Sequence, residues 1–276
     1  MLSNNPLRRA FRSAVMPVAA LAAAAILATS TSLLTPASAE APKVADKVFS
    51  AEQTKAIQEI VKDYLINNPE VFLEIQQVLE AKMDKIQADK LKTSISENAK
   101  DIFHDPDGAI AGNPKGDITV VEFFDYNCGY CKRALGEVAK IIEKDPKLKV
   151  TFKELTFIGR EASAGASRVA LAARMQGKYW EMHKALLEQK GSVNEAIALK
   201  LADKLGLDMT RLKADMNGPS VKEELEKTRK LAEKMGINGT PHFLVGDRSI
   251  PGAPENLSEM IEGHAADLRK NGCSVC

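Results

Sequence analysis

Seven strand-forming residues, Ile118-Thr119-Val120-Val121-Glu122-Phe123-Phe124, run through a three-residue loop into Cys128-Gly129-Tyr130-Cys131. Continuous β-branched and aromatic residues predict a strand buried on both faces, the habit of parallel sheets. A helix is predicted from Cys128 to about Lys144, stopped by Asp145-Pro146, and Lys147 to Leu155 alternates as a second strand. The chain must therefore build a β-α-β unit with a C-x-x-C at the N-terminus of its helix. Both sulfurs fall within one helical turn and can close a small disulfide ring without moving the backbone. The first lies near unpaired N–H groups and the positive end of the helix dipole, which favour a thiolate. Cys128 is thus the expected nucleophile, and Cys131, a turn deeper, the expected resolving thiol. A structural disulfide or half of a zinc site are the alternatives. Zinc would want a second ligand pair nearby, whereas Cys273 and Cys276 lie far along the chain with no flanking histidine.

Two further features sharpen this chemistry. Glu122 is an acid inside an apolar strand, six residues before Cys128. Beneath the sulfurs, burial would raise its pKa and let it exchange a proton with Cys131; otherwise it is an ordinary strand-end carboxylate. Lys153 on the second strand is its expected charge partner. Gly239-Thr240-Pro241-His242-Phe243 places a proline where a strand begins. Proline gives a strand no ladder N–H, but a cis proline is tolerated where its loop faces a ligand. Here the loop would face the C-x-x-C helix, leaving the Thr240 backbone to pair with a bound peptide.

Residues 161–236 read as helices broken at Gly177, Gly191, Gly206 and Gly218. A hairpin follows over 242–246 and 248–250, then a helix from about Pro254 to Lys270. The order β-α-β, helical block, β-β-α is an α/β thioredoxin fold over 101–276, with a helical insertion at about 157–237.

Upstream, Arg8, Arg9 and Arg12 precede an apolar run from Ala14 to Ala28 and an A-x-A pattern at Ala37-Ser38-Ala39. This predicts a cleaved secretory signal peptide over 1–39, since the run is shorter than the roughly 20 residues that span a bilayer. Its removal takes the formal net charge from +1 to −2. Export places the thiols in an oxidising compartment, expected to be a bacterial periplasm. Over 40–100, Ser50 and Gln53 form a capping box ahead of Ile57, Ile60, Val61, Tyr64 and Leu65 at helical spacing. Asn68 and Pro69 suit the N-cap and first position of a second helix, whose stripe is Phe72, Ile75, Val78, Leu79, Met83 and Ile86. Two helices cannot shield both stripes from water. Either they pack on their own domain or they form an oligomerisation arm, making the protein a homo-oligomer.

The near balance of 38 basic and 37 acidic residues, with 5% aromatics, argues against nucleic acid as a partner. His104, His183, His242 and His264 are scattered and read as surface or packing residues, and no cofactor is expected. The tail pair Cys273 and Cys276 is open to three readings: an inert surface disulfide, a second redox pair, or a soft Cu(I) site.

With these motifs in place, Val121 to Lys132 resembles the active site of DsbA-family thiol:disulfide oxidoreductases. Lys178-Tyr179-Trp180-Glu181-Met182-His183 resembles a helix of that family's insertion, and Gly239-Thr240-Pro241 with Phe243 resembles its cis-proline loop. Tyr64-Leu65-Ile66-Asn67-Asn68-Pro69-Glu70 is similar to the N-terminal region of ScsC-type proteins. These are periplasmic members linked to copper tolerance, several of which oligomerise there. Strongly oxidising relatives carry Pro-His between the cysteines and Val before the proline. Gly129, Tyr130 and Thr240 instead resemble DsbC-type isomerases. The resemblance implies disulfide exchange or isomerisation in unfolded or misoxidised exported proteins, with a membrane redox partner of the DsbD/ScsB or DsbB type. The competing implication is a copper-binding thiol protein.

Overall fold

The computed structural model describes residues 48–106 and 108–276. The expected signal peptide and the start of the expected N-terminal region lie outside them. The described residues divide into two units, with the boundary between Asn68 and Pro69.

In the first unit, α1 (Ala51–Asn67) opens with the capping box: Gln53 N–H donates to Ser50 Oγ at 3.2 Å, and Ser50 N–H to Gln53 Oε1 at 2.9 Å. None of its residues is buried. Asn68 closes this helix rather than capping the next: its backbone N–H and side-chain amide both donate to the Tyr64 carbonyl.

The second unit begins with α2 (Glu70–Glu97), preceded by Pro69 in helical conformation. Its stripe from Phe72 to Ile86 is exposed, and Ile95 near its end is fully buried. Apolar packing thus begins at Leu91, ahead of the expected start at 101. Asn98 separates α2 from the short α3 (Ala99–Phe103), and its Oδ1 accepts from Lys234 Nζ at 2.8 Å.

A five-stranded sheet follows, in the order β1-β3-β2-β4-β5. Its strands are β1 (Ala109–Gly112), β2 (Ile118–Phe124), β3 (Leu148–Glu154), β4 (His242–Val245) and β5 (Arg248–Pro251). β2 and β3 are parallel, with α4 (Gly129–Lys144) crossing between them; the remaining pairs are antiparallel. Strand β1 is an addition to the expected topology. The insertion comprises α5 (Glu161–Arg174), α6 (Tyr179–Glu188), α7 (Glu195–Lys204), α8 (Met209–Asp215) and α9 (Pro219–Met235). Helix α10 (Leu257–Asn271) ends the fold.

Side chains alternate across the sheet with period two. One face, with Ile118, Val120, Phe124, Val150 and Phe152, packs on α4, α10 and most of the insertion. The other, with Val121, Phe123 and Leu244, packs on α9, α3 and Ile95. The register puts Glu122 opposite Phe152, so Glu122 faces the α4 side and Lys153 the opposite side. The expected Glu122–Lys153 pair is therefore absent: Lys153 Nζ donates to Asp105 Oδ2 at 2.7 Å and lies 3.7 Å from Glu224. Among the described residues, no helix is long and apolar enough to cross a membrane.

Candidate active site

The candidate redox cysteines, Cys128 and Cys131, sit where β2 hands over to α4. Cys128 occupies the N-cap position in extended conformation, and the helix starts at Gly129. Both cysteines are free thiols, but their surroundings differ. Cys128 keeps 5% of its surface exposed and Cys131 none. The Cys131 thiol donates a hydrogen bond to the Cys128 sulfur, which with Thr240 and the N–H groups of Cys131 and Tyr130 lowers the Cys128 pKa to about 5 against the opposing pull of burial. The Cys131 thiol is pushed up, first by burial, then by that same hydrogen bond and by the nearby Glu122 charge. At neutral pH the N-cap sulfur is a thiolate, and the other a fully enclosed thiol holding its proton.

Glu122 lies on this side of the sheet, wholly enclosed, and its pKa is raised to about 8 by burial and by repulsion from Cys128. Its Oε1 has no hydrogen-bond partner. With a pKa near 8 this carboxyl exists in both forms near neutral pH: as carboxylate it can take a proton from the buried thiol, and as the acid it can return one.

The Thr240–Pro241 peptide bond is cis, and the Thr240 carbonyl lies 3.1 Å from Cys128 Sγ, which donates to it only as the thiol. Tyr130, Thr240, Pro241, Pro251 and Ala253 line a cleft of 310 Å³. Tyr130 is exposed, and the Arg133 guanidinium stacks 4.6 Å above its ring while reaching the Ala253 carbonyl. A cation therefore lies on the tyrosine itself, supplied one turn later in the helix. A larger cleft of 960 Å³ shares Asn238, His242 and Pro251 with this one and continues along Met83, Ile86 and Leu91.

Several groups here have partners that the sequence reading did not name. Asp125 and Asn127, read as plain loop, are tied by their side chains to the insertion. Their residue types signal a loop in which side chains bond nearby N–H groups, but nothing local names the distant partners. Glu154 is enclosed, with its pKa raised to about 8 by burial, and accepts from the Tyr179 hydroxyl at 3.0 Å and the Tyr126 hydroxyl at 3.4 Å. His183 is packed among Phe124, Phe152 and Trp180, and burial holds its pKa at about 3.

Cys273 and Cys276 are joined as a disulfide, with Val275 between them buried. Bonded to each other, these sulfurs offer no thiolate to Cu(I); only the reduced pair could serve as ligands. Cys273 Sγ lies beside Gly246, just past β4, whereas Pro241 immediately precedes that strand. The tail disulfide and the Cys128–Cys131 pair thus flank opposite ends of β4. Among the described residues, no cluster of three or more ligating side chains could hold a metal ion.

The family profile of the DSBA-like thioredoxin domain matches residues 119–261, and that of the copper resistance protein ScsC N-terminal domain matches 53–83. A thioredoxin-like oxidoreductase from Silicibacter pomeroyi is 42% identical, covers 63% of this chain and 98% of its own, and superposes with a TM-score of 0.59. Proteus mirabilis ScsC in a transitional conformation is 26% identical over 80% of this chain and 99% of its own, with a TM-score of 0.58. Disulfide bond formation protein D of Bacillus subtilis is 29% identical over 55% of this chain and 75% of that protein. The chain also matches sodium/proton antiporters of Salinispora, of whose length it spans about a quarter.

Proposed function

The chain belongs to the family of DSBA-like thioredoxin-domain proteins, and from that premise we propose that it is a periplasmic, oligomeric thiol:disulfide oxidoreductase that isomerises disulfides in exported proteins. The carrying observation is the asymmetry of the pair: Cys128 at the helix N-cap, 5% exposed and with a pKa near 5, beside a fully enclosed Cys131. In the dithiol form, the Cys128 thiolate attacks one sulfur of a substrate disulfide. A Cys128–substrate bond forms, the substrate bond breaks, and a substrate thiolate leaves. That thiolate can attack a different substrate sulfur, and a second substrate thiolate then displaces Cys128, so the substrate is rearranged and the enzyme is unchanged. Alternatively Cys131, giving its proton to Glu122 in its carboxylate form, attacks Cys128 and frees a reduced substrate. The pair is then a disulfide, which a membrane partner of the DsbD/ScsB type would reduce. An enzyme left oxidised, or recharged by a DsbB-type partner, would run in reverse as an oxidase.

Gly129-Tyr130 and Thr240 favour isomerisation over strong oxidation. No histidine lies between the cysteines to stabilise the thiolate further. The potential should fall between roughly −270 mV and roughly −120 mV, the thioredoxin and strong-oxidant ends of the scale. The signal-peptide pattern at 1–39 supports export, and the exposed stripes of α1 and α2 support assembly through a subunit partner.

Refolding of reduced and scrambled ribonuclease tests this reading. Cys128→Ser should abolish both reactions, and Cys131→Ser should accumulate covalent enzyme–substrate adducts. A Cys131→Ser variant free of adducts would refute the assignment of roles. A second reading, a copper-binding thiol protein, draws on the ScsC-like match over 53–83. Cu(I) titration decides it: stoichiometric binding lost in Cys128→Ser and Cys131→Ser would favour copper.

A further inference from the structure

The loop between β2 and α4 is held by the insertion. Asp125 is buried, and its carboxylate takes four donors. Oδ1 accepts from the Ser163 hydroxyl at 2.5 Å and from Asn127 N–H at 2.7 Å; Oδ2 accepts from Ile158 N–H at 2.8 Å and Gly159 N–H at 3.4 Å. Asn127 reaches the same helix and a second loop. Its Nδ2 donates to Ser163 Oγ at 2.8 Å and to the Val193 carbonyl at 2.9 Å, and its Oδ1 accepts from Val193 N–H at 2.7 Å. Ser163 is the hub, donating to one residue and accepting from the other.

The backbone of Asp125 in turn meets both sulfur-bearing residues. Its carbonyl accepts from Cys128 N–H at 3.0 Å, and its N–H points to Cys131. Two independent features show how closely the parts are fitted. A Cβ on Gly159 would collide with Ser163 Oγ and Asn127 Nδ2. Arg160, next in the chain, is the one non-glycine residue with positive φ among the described residues, at 46°. Such a conformation persists where the surroundings over-determine it. Lys132 adds a third tie, donating from α4 to the carbonyls of Gln189 and Gly191 at 2.7 Å each.

We infer that Asp125, Asn127 and Ser163 form a clamp through which the helical insertion positions the redox pair and sets its reactivity. These are positioning residues, and the inference rests on the thiol-exchange reading above. The helix itself holds the two sulfurs together, so loosening the clamp leaves ring closure intact. What suffers is the aim of the N–H groups and of the Cys131 thiol at Cys128, and with it the stability of the thiolate. Cys131 and Glu122 are the titratable groups that face Cys128.

The test uses the full chain carrying Ser163→Ala or Asp125→Asn, equilibrated with reduced and oxidised glutathione. Cys128 ionisation is followed in parallel by thiolate ultraviolet absorbance. Both variants should shift the glutathione equilibrium toward the enzyme disulfide by about three- to tenfold and raise the midpoint of thiolate formation. Ser163→Ala, which removes a single hydroxyl, decides the matter if Asp125→Asn does not fold. A lowered unfolding midpoint with unchanged glutathione equilibrium and thiolate titration would overturn the clamp. A wild-type chain that exchanges no disulfide with glutathione would instead overturn the exchange reading beneath it.

Discussion

Helix α4 and the stretch formed by α1 and the first two-thirds of α2 all carry apolar side chains three and four residues apart, and they meet opposite fates. In α4, Ala134, Leu135, Val138 and Ile141 are buried against the sheet and α10. In α1 and α2, Ile60, Tyr64, Phe72, Ile75, Val78 and Leu79 remain open to water. A buried aliphatic side chain contributes about 1.5–3 kcal/mol relative to an exposed one. Val138, fully enclosed, makes that contribution to its own domain, and Val78, 69% exposed, does not. A helical stripe shows that a face requires a cover; it does not say which surface supplies it. The end of α2 makes the contrast within one helix, since Ile95 is as buried as any residue of the sheet.

The largest expected effect comes from removing residues 48–88, a cut that spares Leu91 and Ile95 for the second core. Light scattering should show an oligomer becoming a monomer. Exchange with small disulfides should persist, and isomerisation of scrambled ribonuclease should be largely lost. Isomerisation benefits when several thiols surround one substrate at high effective concentration, which a lone domain cannot offer. A full chain that is already monomeric would break the contrast at its root.

Next, the same deletion of atoms can be made in both stripes. Ile141→Ala should cost the domain about 2–5 kcal/mol in urea unfolding. Ile75→Ala should change domain stability by less than about 0.5 kcal/mol and show instead as dissociation on dilution. Equal losses of domain stability would mean that the α2 stripe is covered by its own chain.

The third test concerns what each region buries besides hydrocarbon. Glu122 and Glu154 both have folded-state pKa values near 8, against 4.5 for an ordinary glutamate, because burial penalises their charge. The folded protein therefore holds these protons more tightly than the unfolded chain. The resulting stability is complete below pH 4.5 and is lost as pH rises through about 8. With the pair oxidised, so that neither cysteine titrates, Glu122→Gln and Glu154→Gln combined should flatten that loss between pH 6.5 and 8. His183 and His242, whose pKa values are depressed by burial to about 3 and 4, act only below 6.5 and in the opposite sense. An unchanged pH slope in the double variant would show that neither carboxyl is protonated in the folded state.

The smallest effect should come from Thr240→Val. The substitution leaves the backbone carbonyl beside Cys128 in place, so fold and assembly should be untouched. Only the ratio of isomerisation to oxidation should fall, a few-fold, as the polar side chain beside the sulfurs is lost. Unchanged rates in ribonuclease refolding would remove Thr240 from the determinants of specificity.

What could be read from the sequence is what neighbouring residues settle among themselves. The strand into Cys128, the helix that begins there, and the capping box of Ser50 and Gln53 depend on contacts within a few residues. So do the breaks at Gly177, Gly191 and Gly206, whose positive φ angles suit glycine. The tertiary structure decided the rest. Strand β1, only Ala-Ile-Ala-Gly, has too few and too small side chains to show a period, and is a strand because β3 offers it an edge. Glu122 and Lys153 looked like partners on adjacent strands, but a one-residue offset in register puts them on opposite faces of the sheet. Asp125 and Asn127 have recognisable loop chemistry, yet their partners Ser163 and Val193 lie 38 and 66 residues away in sequence. Sequence patterns carry the chemistry of residues joined by a few bonds. Which distant group meets a buried carboxylate is settled only when strands pair and helices pack, because the cost of leaving it unpaired is assessed by the whole fold.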